Sequence, residues 1–254
     1  MSHEPSRLQD ALASSAQVWG GWVVGPTVIG PEEFAAAGYD YVGFDLQHGY
    51  LSDADVALML RRLEHVPIAT VVRLPDTNAG PIGRVLDAGA DGVVIAMVES
   101  AAQAAEAVAA TKYAPGGVRS FGPLRASLGV DPATLQARAS VFAMIETTGG
   151  LAALEEICNV DGLTGIYVGP ADLAISMGHR PVDAWTSEDV LDVIGQVQRT
   201  TVGAGLVAGI HATTGAVGNI LRGKGFQMIT LASESQALRR GAAAHLGEAR
   251  GENS

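Results

Sequence analysis

Residues 141–174, VFAMIETTGGLAALEEICNVDGLTGIYVGPADLA, contain one complete repeat of the fold. Two short apolar runs, at 141–145 and 163–168, flank a more polar segment that ends at Gly162. The runs lack the strict alternation of a half-exposed strand, which favours parallel strands that are buried on both faces. Glycine at the end of the intervening helix lets the chain turn into the next strand. The stretch therefore predicts a strand–helix–strand unit.

The same unit recurs in both directions along the chain. Glycine joints precede apolar runs in AAAGYDYVGFD, VLDAGADGVVIA and LRGKGFQMITL, and residues 53–64 and 101–111 have helical periodicity. The predicted strands are residues 18–24, 41–44, 68–72, 92–98, 141–145, 163–168, 206–210 and 226–231. Eight such units in about 250 residues are typical of a (β/α)8 TIM barrel. The alternative is a doubly wound open sheet, which is weakened because no G-x-G-x-x-G motif follows the first strand.

We expect a single domain over residues 1–254, with an N-terminal helix or arm at 1–16 and a flexible tail at 247–254. The longest segment outside the repeat, residues 113–138, lies between the fourth and fifth predicted strands. Loops of this length in compact domains usually serve function or an interface.

Composition excludes several classes of function. The formal net charge is −11, which argues against nucleic acid or anionic lipid as a partner. The N-terminus has no signal-peptide pattern, and no apolar run approaches the roughly 18 residues of a membrane span, so we expect a cytoplasmic protein. Cys158 is the only cysteine, which excludes an internal disulfide. The only lysines, Lys112 and Lys224, fall at predicted helix ends, which disfavours a Schiff-base mechanism.

Polar residues at the predicted strand ends define the candidate site, because chemistry in such barrels is placed at the carboxyl ends of the strands. These residues are Trp22, Asp45, Gln47, His48, Arg73, Glu146, Gly169, Pro170, Ala171, Asp172, His211, Ser233 and Glu234.

Glu146 and Asp172 end adjacent strands and could share one hard cation, with open positions for water and a chelating substrate. Each has an alternative role. Glu146 could form an arginine salt bridge, and Asp172 could be the N-cap of a helix that begins at Leu173.

His48 is a candidate general base beside Asp45. Arg73 could bind a substrate carboxylate or stabilise an enolate, or it could be a structural ion-pair partner. His211 is placed to enter the site, and a purely structural role is an equal alternative.

The motifs FDLQHG, VVRLP, LDAGADG, TKYAPGGVRSFGP, IET and GPADLAISMG, in this order, resemble the HpcH/HpaI aldolases, the metal-dependent class II pyruvate aldolases. The resemblance implies a barrel whose last helix is exchanged between subunits, in a homohexamer built from trimers. It implies Mg²⁺, Mn²⁺ or Co²⁺ on Glu146 and Asp172, His48 as a base acting through a water, and Arg73 at the keto oxygen. The backbone around Gly169, Ala171 and Asp172 would receive the carboxylate, and Asp87 would be the partner of the catalytic histidine.

The implied activity is reversible cleavage of a 4-hydroxy-2-oxo acid to an aldehyde and either pyruvate or hydroxypyruvate. The sequence departs from the family pattern at Gln47, where many members have Glu, and at Met144, where many have Gln. Oxaloacetate decarboxylation, CoA-ester cleavage and a non-catalytic 2-oxo-acid-binding subunit remain alternatives. Residues 121–125 are predicted to help select the acceptor, with Arg125 either as a carboxylate contact or as a loop arginine at the subunit interface.

Overall fold

The computed structural model describes residues 4–251, and it contains eight parallel strands in sequential order that close into a barrel. The strands are β1 (Val18–Val23), β2 (Tyr41–Asp45), β3 (Ala69–Leu74), β4 (Gly92–Ile95), β5 (Ser140–Ile145), β6 (Gly165–Val168), β7 (Val207–His211) and β8 (Met228–Ser233). The predicted (β/α)8 TIM barrel is therefore confirmed, and the open-sheet alternative is wrong.

Helices alternate with the strands and cover the outside of the barrel. They are α1 (Arg7–Ser14), α2 (Ile29–Ala36), α3 (Asp53–Arg62), α4 (Ala79–Asp87), α5 (Ala101–Thr111), α6 (Pro132–Ala137), α7 (Thr148–Ala152), α8 (Leu154–Cys158), α9 (Pro170–Ser176), α10 (Glu188–Gly203), α11 (Gly215–Gly223) and α12 (Glu234–Arg250). No helix within residues 4–251 is both long and apolar enough to span a bilayer.

The glycine joints have the predicted backbone conformation. Gly38 and Gly89 follow α2 and α4 with φ of 88° and 103°, values that favour glycine. The largest deviation from the predicted strands is at β4, which ends at Ile95 rather than at residue 98. Met97 has a φ of 55°, and this left-handed conformation turns the chain away from the strand direction.

The inside of the barrel is mostly apolar, and a buried threonine hydroxyl there joins the hydroxyls of two tyrosines. Tyr41, Phe142 and Tyr167 are fully buried there. Thr230 Oγ1 is hydrogen-bonded to both the Tyr41 and the Tyr167 hydroxyls, at 2.7 Å for Tyr41. The three hydroxyl groups therefore satisfy one another below the open end of the barrel.

Helix α1 closes the amino end of the barrel. Ser6 caps α1, and the fully buried Leu8 side chain joins the interior cluster. Arg7 donates to the carbonyl oxygens of Glu64 and Val66, and Gln9 Nε2 donates to the Ala137 oxygen at 2.8 Å.

The first and last helices can be compared with the segments predicted at the two chain ends. Helix α1 lies within the predicted N-terminal helix or arm, whereas α12 continues to Arg250, into the predicted tail. Residues 1–3 and 252–254, which complete these segments, lie outside the described residues.

Candidate active site

A pocket of about 460 Å³ opens at the carboxyl end of the barrel. Every strand end except that of β4 contributes to its lining or lies beside it. The lining includes Trp22, Asp45, His48, Arg73, Met144, Tyr167, Gly169, Pro170, Ala171, Asp172, His211, Ser233, Ser235, Gln236 and Arg239. Most of the residues predicted from strand ends therefore meet in one cavity of a size usual for small-molecule sites.

Asp45 organises one wall of the pocket through five hydrogen bonds. Its Oδ1 accepts from Arg73 Nε and from the backbone N–H groups of Gln47 and His48, each at 3.0 Å. Its Oδ2 accepts from Trp22 Nε1 at 3.1 Å and from Arg73 Nη2. Burial alone would raise the pKa of Asp45, but the hydrogen bonds and charge of Arg73 outweigh it and hold that pKa below its usual value. Asp45 is therefore an anion that fixes the orientation of Arg73.

Arg73 has one terminal nitrogen left for a ligand. Nε and Nη2 bind Asp45, whereas Nη1 has no hydrogen-bond partner among residues 4–251. The guanidinium carbon lies 5.5 Å from the centre of the Trp22 ring, which restricts the side chain further. Arg73 is thus both the structural ion-pair partner and a preoriented donor at the pocket wall.

Glu146 is a buried carboxylate with one unused oxygen. Its Oε1 accepts from the Met97 backbone N–H at 2.8 Å, and its Oε2 is buried without a hydrogen-bond partner among the described residues. The alternative of an arginine salt bridge is therefore wrong. Burial, the largest cause, and the nearby charge of Asp172 together raise the pKa of Glu146 to about 7, against the lowering effect of the Met97 amide.

Gly169 provides the space that the free oxygen of Glu146 occupies. A Cβ atom at Gly169 would lie 2.3 Å from Glu146 Oε2 and 2.8 Å from Met144 Cε. Helix α9 begins directly after this glycine, so Asp172 lies in the first turn and the alternative of an N-cap before Leu173 is wrong. No side chain caps α9, which leaves its first-turn N–H groups without an intrahelical partner.

The donor set fits a hard divalent cation with an incomplete protein shell. Within residues 4–251, no group of three or more His, Cys, Asp or Glu side chains is placed to hold a metal ion. Glu146 and Asp172 provide carboxylate oxygens, and Mg²⁺ and Mn²⁺ accept such ligands while taking the others from water and substrate. The unpartnered Glu146 Oε2, next to a second negative charge, is the observation that supports the fit.

Two histidines reach the pocket in different electrostatic environments. The side chain of His48 is exposed and has no hydrogen-bond partner among residues 4–251. His211 lies edge-on to Trp22, with 5.3 Å between the ring centres. Burial, followed by the charge of Arg73, lowers the pKa of His211 to about 4, so its imidazole is neutral near pH 7.

Asp87 and Arg125 lie outside the pocket within a single chain. Asp87 ends α4, and its Oδ1 accepts from Arg119 Nη2 at 2.6 Å. Arg125 lies 3.4 Å from Glu64 and donates to the Ala88 oxygen at 3.3 Å. These contacts are at the amino end of the barrel, where helices lead into strands. The catalytic role of Asp87 and the acceptor contact of Arg125 stay predictions.

Met144 and Gln47, the two departures from the family motifs, differ in how they relate to the pocket. Met144 is buried in the pocket lining, where it adds an apolar wall beside Glu146. The backbone of Gln47 binds Asp45, and its buried Oε1 has no hydrogen-bond partner among the described residues.

Sequence reasoning missed the Met97 amide and the contribution of α12. Ser233 is the N-cap of α12 and forms a capping box with Gln236. The S-x-x-Q pattern after an apolar run signals such a helix start, and the side chains of the following turns, Gln236 and Arg239, line the pocket.

Comparison with known proteins matches nearly the whole chain. The family model for HpcH/HpaI aldolase/citrate lyase matches residues 20–240. A hydroxypyruvate/pyruvate aldolase of Rhizorhabdus wittichii is 35% identical over 233 residues, which are 91% of this chain and 93% of that protein. A 4-hydroxy-2-oxovalerate aldolase of Novosphingobium aromaticivorans is 35% identical and covers 69% of this chain and 68% of its own. The crystal structure of an HpcH/HpaI aldolase/citrate lyase family protein from Burkholderia cenocepacia J2315 is 29% identical, with a TM-score of 0.87 over 96% of this chain and 98% of that chain.

Proposed function

Because this chain belongs to the HpcH/HpaI aldolase/citrate lyase family and is a carbon–carbon lyase, we propose that it is a divalent-metal-dependent class II aldolase. It cleaves 4-hydroxy-2-oxo acids reversibly to an aldehyde and either pyruvate or hydroxypyruvate. The observation that carries the proposal is the buried Glu146 carboxylate, which has one oxygen without a hydrogen-bond partner among the described residues and whose pKa is raised by the charge of Asp172. Asp172, Arg73 and the start of α9 line the cavity at the carboxyl end of the barrel, and the Glu146 side chain lies next to the lining residue Gly169.

Glu146 and Asp172 would hold Mg²⁺, Mn²⁺ or Co²⁺ by their carboxylates. Bound there, the ion would supply Lewis acidity that makes the C3 protons of a 2-oxo acid easier to remove. The Met97 N–H keeps Glu146 Oε1 in place, so the other oxygen is presented in a fixed position.

The remaining steps belong to side chains and backbone of this chain. The free N–H groups in the first turn of α9, at Ala171 and Asp172, would receive the substrate carboxylate, since helix N-termini favour anions. Arg73 Nη1 would donate to the 2-oxo oxygen as negative charge develops there. The two hydrogen bonds from Arg73 to Asp45 keep that donor oriented.

His48 would transfer the proton through one water. In the cleavage direction it takes the proton of the C4 hydroxyl, the C3–C4 bond breaks, and the aldehyde leaves. The enolate that remains is then protonated at C3 to give the 2-oxo acid. His48 has an exposed side chain and lines the pocket, which suits a group that exchanges protons with the substrate.

The proposed assembly brings a second copy of the chain to α12. No residue of this 17-residue helix is buried, and Leu238 and Leu246 are 74% and 51% exposed. An apolar groove at its base is bordered by Ile29, Phe34 and other residues of α2. We propose that α12 is exchanged with a neighbouring subunit in a homohexamer and that Asp87 approaches the partner's site. Mass photometry should give a hexamer, and Leu238→Glu should shift it to smaller species.

Exchange of the pyruvate methyl protons in D₂O tests the function without knowledge of the aldehyde. Proton NMR should show exchange that requires Mg²⁺ or Mn²⁺ and that is lost in the Glu146→Gln/Asp172→Asn variant. Asp192→Asn, on the exposed side of α10, is the matched control and should retain exchange. No exchange of pyruvate, hydroxypyruvate or oxaloacetate with confirmed metal loading would contradict the proposal and favour CoA-ester cleavage or a binding-only subunit.

A further inference from the structure

A second cavity, of about 370 Å³, lies at the amino end of the barrel, opposite the candidate active site. It is bordered by α1, the end of α3, the start of β3 and the segments that lead into β4 and β5. Most of its lining is polar or charged, and none of it comes from α12. The proposed aldolase chemistry does not use this cavity.

Asp91 is a buried carboxylate in this cavity, and one of its oxygens has no hydrogen bond. Its Oδ2 accepts from the Thr70 backbone N–H at 2.8 Å and from the Thr70 hydroxyl at 3.2 Å. Its Oδ1 has no hydrogen-bond partner among residues 4–251, because Arg138 Nη2 is 3.8 Å away, too far for a hydrogen bond. Asp91 is only 4% exposed, so its own chain buries it. A buried acceptor without a donor is costly, and the cavity is where a donor could reach it.

Two arginines place positive charge around Asp91. Arg138 has no hydrogen-bond partner within residues 4–251 beyond its long ion-pair contact with Asp91. Arg7 donates to backbone carbonyl oxygens after α3 and forms no salt bridge within the described residues. Burial raises the pKa of Asp91, whereas the Thr70 N–H and the charges of Arg138 and Arg7 lower it. Both cations therefore act on the same carboxylate.

The other carboxylates of the lining leave this excess of positive charge in place. Glu64 is paired with Arg61 at 2.9 Å and with Arg125 at 3.4 Å, so two further cations compensate its charge. Glu4 and Asp10 are exposed, where water and salt screen their charges. The inner part of the cavity therefore favours one additional negative charge.

The ligand that satisfies these groups is an oxyanion with its own hydrogen-bond donor. Arg138 can bind two oxygens of one anion through its planar fork. Asp91 Oδ1 can only accept, so the ligand must bring an O–H group to it. Hydrogen phosphate has both properties, whereas sulfate has the same shape but no proton near pH 7.

We propose that the cavity at the amino end is a second ligand site, which binds a phosphate bearing an O–H group. Arg138 and Arg7 attract its negative charge, and its O–H group donates to Asp91 Oδ1. The volume exceeds that of the ion, so inorganic phosphate or a small hydroxylated phosphate ester would fit. This inference goes beyond the proposed aldolase function and does not rest on it.

Calorimetric titration of the Mg²⁺-loaded wild type tests the site with two ions of the same shape. Inorganic phosphate should bind at one site per chain, and at least about tenfold more tightly than sulfate, because sulfate offers no proton to Asp91. Glycerol 3-phosphate in a third titration identifies the source of the phosphate group. Tighter binding than that of inorganic phosphate indicates an organic phosphate, and weaker binding indicates the free ion.

Two variants separate this site from any other anion site. Arg138→Gln should weaken phosphate binding by roughly 10- to 100-fold, the range of a charge-assisted hydrogen bond. Asp91→Asn keeps the shape but can present an amide donor in place of Oδ1, so phosphate and sulfate should then differ by less than about threefold. Arg62→Gln, on the exposed side of α3 and outside the lining, is the matched control and should bind phosphate as the wild type does.

Three results would overturn the proposal. Equal affinities of the wild type for phosphate and sulfate would show that Asp91 does not select the ligand, and this comparison needs no variant. Undiminished phosphate binding in a folded Arg138→Gln protein would place the ion elsewhere, for example at the active site. No phosphate binding by the wild type would mean that the cavity holds water or a partner chain. Exchange of pyruvate methyl protons should persist in Arg138→Gln, so the two proposals fail independently.

Discussion

Gly169→Ala tests directly whether the free oxygen of Glu146 must occupy its present position. The added Cβ would lie 2.3 Å from Glu146 Oε2, whereas ordinary contacts of such an atom begin at 3.4 Å. The carboxylate must therefore move by about 1 Å, a displacement that can cost on the order of 10²-fold in rate at a catalytic centre. The φ of Gly169 is −101°, so alanine introduces no left-handed backbone strain.

The effect of this substitution on stability should be much smaller than its effect on activity. Overpacking costs about 1–3 kcal/mol, and the lower entropy of the unfolded chain with alanine offsets about 0.4–1 kcal/mol of it. We expect a folded variant whose metal-dependent exchange of pyruvate protons falls by about 100-fold. Exchange would be followed by NMR, Mn²⁺ affinity by calorimetry and unfolding by urea titration.

Gly223→Ala is the matched control. Gly223 ends α11, and no neighbouring atom lies within 4 Å of the position that the added Cβ would take, so exchange should equal that of the wild type. A folded, metal-loaded Gly169→Ala protein with exchange within about twofold of the wild type would refute the reasoning. The oxygen of Glu146 would then not need the space beside Gly169.

Three other perturbations address groups around the pocket. Thr230→Val should lower the free energy of unfolding by about 2–4 kcal/mol in urea titrations, because it leaves two buried tyrosine hydroxyls without their shared partner. Asp45→Asn should lower it by about 3 kcal/mol, since the buried Arg73 loses its counter-ion. The folded-state pKa of His211 is about 4 against an ordinary 6.5, so the unfolded chain binds more protons between these values. The free energy of unfolding of the wild type minus that of His211→Gln should therefore be constant above pH 6.5. This difference should fall by about 3 kcal/mol as the pH decreases to 4.

Each of these predictions has a control or an outcome that would contradict it. Asp183→Asn removes a surface ion pair with Arg180 and should lower the free energy of unfolding by no more than about 1 kcal/mol, in contrast to Asp45→Asn. A Thr230→Val protein that is as stable as the wild type would show that the tyrosine hydroxyls find other partners. Parallel pH profiles of the wild type and His211→Gln would contradict the lowered pKa of His211.

The sequence predicts the barrel and the donor half of the pocket because both depend on local patterns. Apolar runs followed by polar residues place Asp45, Arg73 and Glu146 at strand ends, and parallel strands bring such ends to one side of the barrel. Glycine before a strand marks where each helix ends, as at Gly38. These features are fixed by residues close to one another in the chain.

The remaining features depend on contacts that no local pattern specifies. The left-handed turn at Met97 shortens β4 and directs its amide to Glu146, 49 residues away. The position of Asp87 in its motif is clear from the sequence. Within the chain, however, Asp87 accepts a hydrogen bond from Arg119 at the amino end of the barrel, whereas His48 lies at the carboxyl end. Arg239 lines the pocket from α12, and the first turn of this helix is held by hydrogen bonds of Ser233 and Glu234.

The position of Leu8 has a consequence for the order in which the chain assembles. The first helix leaves the ribosome before any strand, yet its docking site is made by segments up to Ala137 and by the closed ring of strands around Leu8. This docking site is therefore complete only after the last strand has been synthesised and paired. Contacts between residues so distant in the chain slow folding, so we expect a helix that precedes every strand to complete its packing only when the ring of strands has closed.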